Sequence, residues 1–119
     1  MADYGKNIAV LGSTGSIGRS TLEVIAASGG NLRAVGLSAC RNTSLLLQQA
    51  QAARPRRIVV TDPVAAARQD WSNLPAGIEL LVGPDAVSQL VSDSEVDTVV
   101  SAIVGSAGLR GTWAAIEAG

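Results

Sequence analysis

The chain has 119 residues, of which 47% are hydrophobic, and carries a formal net charge of −1, one cysteine and no histidine. That length suits one domain, and the near-neutral charge gives no general attraction to nucleic acid or to an anionic membrane. No apolar run approaches the roughly 20 residues of a membrane span, and the absence of histidine removes the commonest general base and transition-metal ligand.

The opening MADYGKN lacks the basic-then-apolar pattern of a targeting peptide. Ile8 to Leu11 is then an unbroken apolar run, as expected of a parallel strand covered on both faces. Gly12, Gly15 and Gly18 follow at intervals of three, and Ser20 to Ile25 opens a helical pattern. Strand, glycine turn and helix in this order form the phosphate-binding turn of a nucleotide-binding βαβ unit. Gly12 allows a sharp turn, Gly15 has no Cβ to keep a pyrophosphate from the backbone, and Gly18 allows the helix to pack against the sheet. The first helical N–H groups have no intrahelical partner and face the ligand at the positive end of the helix dipole. Ser13, Thr14 and Ser16 are expected to add hydroxyl donors there. The spacing is GxxGxxG rather than GxGxxG, so its weight comes from its context. The alternative is a glycine-rich turn that binds nothing.

Thr21 to Ala27 continues the first helix, with Leu22, Val24 and Ile25 as candidates for its buried side. Ser28 to Asn31 ends it, and Leu32 to Leu37 reads as a second strand. After the loop Ser38 to Asn42, either Thr43 or Asn42 can cap a helix that runs through Ala53, with Leu45, Leu46 and Leu47 on its apolar face. Arg57 to Thr61 is a third strand. Asp62 before Pro63 is an N-cap with a first-turn proline, opening a helix over Val64 to Asp70. Ile78 to Val82 is a fourth strand, Gly83-Pro84-Asp85 starts a short helix to about Ser92, and Val96 to Val100 with Ser101 to Ile103 is a fifth strand. Val104 to Gly108 forms a second glycine-containing loop before a helix over Leu109 to Ala118.

This alternation predicts an α/β fold, a Rossmann-type parallel sheet of about five strands with helices on both faces, in one domain over residues 1–119. Aromatic residues make up only 3%, so the core is aliphatic. A further strand should follow the last helix, so the chain is expected to be the front part of a longer protein, truncated before that strand. Its sheet would then carry an unfilled edge.

In NAD-binding units an acid near the end of the second strand bonds the ribose 2′-hydroxyl. Here that neighbourhood is Ser38-Ala39-Cys40-Arg41-Asn42, with no acid. Arg41 offers a fork of donors suited to a phosphate, and Ser38 and Asn42 add hydrogen bonds, which favours NADP(H). The alternative is that Arg41 is an ordinary solvated cation. Ala102, Ile103 and Val104 end the fifth strand, where ligands of open α/β sheets bind, and can pack along the nicotinamide half or serve as strand-end core.

No catalytic constellation and no metal-ligand set is present in the sequence. Asp62, Asp85, Asp93, Glu95 and Asp97 fit caps and loop solvation. Lone Cys40 excludes an internal disulfide and fits a reducing, cytoplasmic setting. Arg41 beside it can lower its thiol pKa, but no base is available to work with it, which favours an inert cysteine. Trp71 and Trp113 read as packing residues.

The segments NIAVLGSTGSIGRSTLEVI, GLSACRN, RPRRIVVTD and VVSAIVGSAGLRGTWAAIEAG resemble, in that order, the N-terminal part of 1-deoxy-D-xylulose 5-phosphate reductoisomerases, from about Lys6 to Gly119. The resemblance implies an enzyme that converts 1-deoxy-D-xylulose 5-phosphate to 2-C-methyl-D-erythritol 4-phosphate in non-mevalonate isoprenoid biosynthesis. It further implies NADPH, Mg²⁺ or Mn²⁺, a homodimer and inhibition by fosmidomycin. On this resemblance Thr14, Gly15, Ser16 and Ile17 hold the pyrophosphate. Ser38, Cys40, Arg41 and Asn42 line the adenosine 2′-phosphate, and Ala102, Ile103 and Val104 line the nicotinamide side. Cys40 stands where many members have glycine. The segments of the family that carry the metal-binding acids, the substrate-phosphate site and the lid have no counterpart here, so no catalytic residue carries over and the chain alone is expected to be inactive.

Two other readings stand beside it. A semialdehyde or acyl-phosphate reductase would need a nucleophilic cysteine after the fifth strand, where Cys40 is not. A non-catalytic NADP(H)-binding or interaction module fits a short chain.

Overall fold

A computed structural model describes residues 6–102. Within it the elements run β1 (Lys6–Leu11), α1 (Ser16–Ala27), β2 (Leu32–Ala39), α2 (Thr43–Ala53), β3 (Arg57–Val60), α3 (Pro63–Arg68), β4 (Glu79–Val82), α4 (Ala86–Val91) and β5 (Thr98–Ser101). All strand pairs are parallel, in the order β4-β3-β2-β1-β5. The chain steps outward from β1 to β4, then returns past its start to lay β5 on the other side of β1. Val10 therefore sits between Leu37 and Val100. The result is the expected Rossmann-like α/β fold.

Alternation along the strands divides the core in two. Ile8 and Val10 face one side with Ile58 and Val60, under Ile25 of α1, Leu46 and Ala50 of α2 and Ala66 of α3. Ala9, Leu11 and Val59 face the other, under Ala86, Val87, Leu90 and Val91 of α4. Helices thus cover both faces. Trp71 packs against the first cluster and its indole N–H donates to Ala66 O at 3.0 Å.

Several boundaries differ from the sequence reading. Helix α1 begins at Ser16, ahead of the Ser20 to Ala27 stretch read as helical, because it starts directly from Gly15 with its first turn seated on the glycine turn. Val24 is not on its buried side: it is 62% exposed, while Leu22 and Ile25 share the inward stripe. Strand β2 runs on to Ala39, because Gly36 to Ala39 pair with all of β3. It carries a bulge: Ile8 pairs with Ala34 but Ala9 pairs with Gly36. Helix α3 stops at Arg68, where Gln69 turns extended at φ −86° and ψ 138°. Among the caps, Asn42 rather than Thr43 opens α2, its side chain accepting from Leu45 N, and Asp62 caps α3. The loop expected at 104–108 and the helix expected at 109–118 lie outside the described residues.

Candidate functional site

The reversal of strand order places the carboxyl ends of β1, β2 and β5 together, the position where open α/β sheets bind ligands. The turn from β1 into α1 lies at its centre. Gly12 has φ +75°, a conformation a side chain resists. Its N–H donates to Ser38 Oγ at 3.1 Å, and Ser13 N donates to Ser38 O at 2.9 Å, so β2 holds the start of the turn. From the other side Gln49 of α2 grips Ser13 twice: Gln49 Nε2 donates to Ser13 O at 2.8 Å, and Ser13 Oγ donates to Gln49 Oε1 at 2.7 Å.

This corrects the expectation for Ser13. Its side chain is fully buried and its proton is given to Gln49, so it offers nothing to an anion. Ser38 is likewise buried, its hydroxyl engaged by Gly12, and it shapes the turn from below. Thr14 is half-buried, whereas Gly15, Ser16 and Ile17 are exposed on the outer side of the turn. Ile17 is 58% exposed, an apolar side chain in the first turn of a helix.

The start of α1 is open. Gly15 is its N-cap and no side chain caps it, so the amides of Ser16, Ile17 and Gly18 precede the first intrahelical bond, Arg19 N to Gly15 O. Helices α2 and α3 have side-chain caps, and the six-residue α4 has none. The two glycines beside this opening differ. A Cβ on Gly15 would meet only Gly12 O, at 3.6 Å, and otherwise project into the open cradle. A Cβ on Gly18 would stand 2.3 Å from Gly12 O and 2.6 Å from Ser13 Cα. Gly18 thus lets the helix pack on the turn itself, not on the sheet as expected.

At the end of β2, Cys40, Arg41 and Asn42 are exposed. Arg41 Nε donates to Asp62 Oδ2 at 3.0 Å, with the arginine side chain 82% exposed. Asp62 Oδ1 accepts from Val64 N and Ala65 N. The Asp62 carboxyl is held below its ordinary range, chiefly by the Ala65 amide; desolvation opposes this, and the Val64 amide and Arg41 add to the lowering. Asn42 Oδ1 accepts from Leu45 N at 3.3 Å. Ala102 N donates to Leu11 O at 2.8 Å, which sets Ala102 beside the origin of the glycine turn. Ile103 and Val104 lie outside the described residues.

The structure therefore brings Gly15, Ser16, Ile17, Arg41, Asn42 and Ala102 to one end of the sheet. Open amides and a guanidinium suit an anionic ligand with two phosphate positions. Among the described residues no three acidic, histidine or cysteine side chains gather to hold a metal ion, and no helix is long and apolar enough to cross a membrane. Gln49 is the contributor that sequence reasoning missed. Nothing local marks it, because its partner lies 36 positions away on another element.

Comparison with known proteins gives one answer. A model of the 1-deoxy-D-xylulose 5-phosphate reductoisomerase family matches residues 8–119. The chain is 49% identical over 117 residues to the 1-deoxy-D-xylulose 5-phosphate reductoisomerase of Methylococcus capsulatus, covering 96% of this chain and 30% of that protein. To the enzyme of Proteus mirabilis it is 42% identical over 116 residues, covering 96% and 29%. Among solved structures, the reductoisomerase of Zymomonas mobilis in complex with NADPH superposes with a TM-score of 0.84 at 32% identity, covering 96% of this chain and 30% of that one. A reductoisomerase in complex with NADPH, fosmidomycin and magnesium gives a TM-score of 0.88 at 37% identity, covering 96% and 28%. The chain spans about 30% of the length of the curated relatives it matches.

Proposed function

The chain belongs to the 1-deoxy-D-xylulose 5-phosphate reductoisomerase family, and from that premise we propose that it is the NADPH-binding part of such an enzyme. The observation that carries the proposal is the uncapped start of α1, with the open cradle at Gly15, lying at the same sheet end as Arg41. In this reading the amides of Ser16, Ile17 and Gly18 and the hydroxyls of Thr14 and Ser16 receive the pyrophosphate, and Ile17 covers it. Arg41, with Cys40 and Asn42 beside it, receives the 2′-phosphate. Ser38 supports the turn beneath. Ala102, with Ile103 and Val104, borders the nicotinamide.

NADPH when bound supplies the hydride for the reductive half of the conversion of 1-deoxy-D-xylulose 5-phosphate to 2-C-methyl-D-erythritol 4-phosphate. The residues of this chain bind and orient. The family's metal, magnesium in solved relatives, finds no donor set among the described residues, so no step through it is assigned to them. We place the phosphosugar site, the metal and the dimer contact of a cytoplasmic homodimer in the parts of the family enzyme that this chain does not span.

A chimera tests the proposal. This chain replaces the matching segment of the Methylococcus capsulatus relative, and NADPH oxidation is followed with and without 1-deoxy-D-xylulose 5-phosphate. Oxidation that depends on the sugar phosphate and is lost in Gly15→Val is expected. A folded chimera that takes no NADPH contradicts the reading.

A further inference from the structure

We propose that Gln49 is a positioning residue for the cofactor: it locks the phosphate turn to α2 and so ties the two ends of the site together. The proposal rests on the NADPH reading above.

Helix α2 starts from Asn42, next to Arg41, at the adenosine end. About two turns later Gln49 meets the phosphate turn. Its Nε2 donates to Ser13 O at 2.8 Å and its Oε1 accepts from Ser13 Oγ at 2.7 Å. Both halves of the amide are used, so the contact defines the direction of the Ser13 carbonyl as well as its position. Ser13 is fully buried, which leaves water no access to replace either bond. Ser38 holds the opposite side of the same residue through Ser13 N.

The turn needs this anchoring. It contains Gly12 and Gly15, which have the widest backbone freedom, and among the described residues the bonds at Gly15 N and Ile17 O stay within the turn and α1. Amides already fixed when a phosphate arrives bind it without paying for their own ordering. Among the described residues Ser13 is the last of the turn hydrogen-bonded to β2 or α2, so its carbonyl direction sets where the following amides point. Because one rigid helix carries both Asn42 and Gln49, the distance between the 2′-phosphate loop and the pyrophosphate turn is fixed by α2.

Two ligands separate positioning from general support. NADPH carries the pyrophosphate. Adenosine 2′-monophosphate carries the adenosine and 2′-phosphate alone. Binding of each to the protein is followed by NMR titration, for wild type, Gln49→Ala, Gln49→Glu and Ser13→Ala. Gln49→Ala leaves Ser13 O unpaired, and Gln49→Glu sets a carboxylate oxygen against it. Both are expected to weaken NADPH by about tenfold and to leave adenosine 2′-monophosphate within about twofold. Ser13→Ala keeps the bond to its carbonyl and is expected to give a smaller loss of the same kind; it carries the test if a Gln49 variant does not fold. If wild type binds NADPH and the variants bind it equally well, the role of Gln49 is overturned while the NADPH reading stands. Equal losses for both ligands also overturn it, since they mark general support. Failure of folded wild type to bind NADPH overturns the functional reading itself.

Discussion

Arg41 and Asp62 meet at the carboxyl edge of the sheet: Arg41 Nε donates to Asp62 Oδ2 at 3.0 Å, joining the loop after β2 to the N-cap of α3 across 21 positions. One carboxylate thus does two things. Its Oδ1 accepts from the amides that open α3, and its Oδ2 holds the inner nitrogen of a guanidinium. Among the described residues only Nε of Arg41 is engaged, so the terminal fork that suits a phosphate remains presented to solvent.

This relationship predicts an acid dependence of stability. Asp62 is held below the ordinary carboxylate range by the Ala65 and Val64 amides and by Arg41, and Asp70 is shifted the same way by Ser72. A folded pKa below the unfolded one means that the native state binds fewer protons. The stabilisation is complete above the unfolded carboxylate pKa and disappears as pH falls through the folded value. The thermal midpoint is expected to drop across that acidic window, and less steeply in Asp62→Asn, which keeps a capping oxygen without the titration. Equal slopes for variant and wild type would contradict the assignment.

The two glycines at the head of α1 predict opposite pairs of outcomes. Gly15→Ala meets no obstruction in the fold and leaves stability nearly unchanged, but sets a methyl group in the cradle and weakens NADPH binding. Gly18→Ala drives a Cβ against the backbone of Gly12 and Ser13 and is expected to destabilise by about 1–3 kcal/mol, despite the better helix propensity of alanine. Urea unfolding and NADPH titration of both variants check this. A Gly18→Ala protein as stable as wild type would show that the turn and helix are not packed as described.

A second close approach lies on the other face of the sheet. A Cβ on Gly36 would stand 2.5 Å from Cδ1 of Leu90, which is 1% exposed. Leu90→Ala is expected to cost about 2–5 kcal/mol, and Gly36→Ala a smaller amount through overpacking. In the double variant the new methyl group enters space that Leu90 has left, so the combined loss should be clearly smaller than the sum of the two. Additive losses in urea unfolding would remove Gly36 from contact with Leu90.

Much of this fold was readable locally. The apolar run at Ile8 to Leu11 followed by Gly12, Gly15 and Gly18 identifies strand, turn and helix because each residue type has a backbone consequence within a few positions. Asp62-Pro63 announces its helix for the same reason, and Asn42 with Thr43 places the start of α2 at one of two residues. What could not be read depends on partners far along the chain. The second strand continues past Leu37 because β3 pairs with its end. Val24 looks like core until the inward stripe of α1 is set by Gly18, Leu22 and Ile25. Ser13 looks like a ligand hydroxyl until Gln49 occupies it. Gly36 reads as an unremarkable strand residue until Leu90 lies over it. At the site, residue types indicated what a phosphate would want, and tertiary contacts decided which of those groups are still available.

The most direct measurement is calorimetric titration of the purified chain with NADPH and, separately, NADH, for wild type and Arg41→Ala. Binding of NADPH in clear preference to NADH is predicted, with the preference reduced about tenfold or more in Arg41→Ala, because a charge-assisted fork to the 2′-phosphate is lost. A folded chain that binds neither, or binds both alike with and without Arg41, would contradict the claim that this sheet edge is an NADPH site.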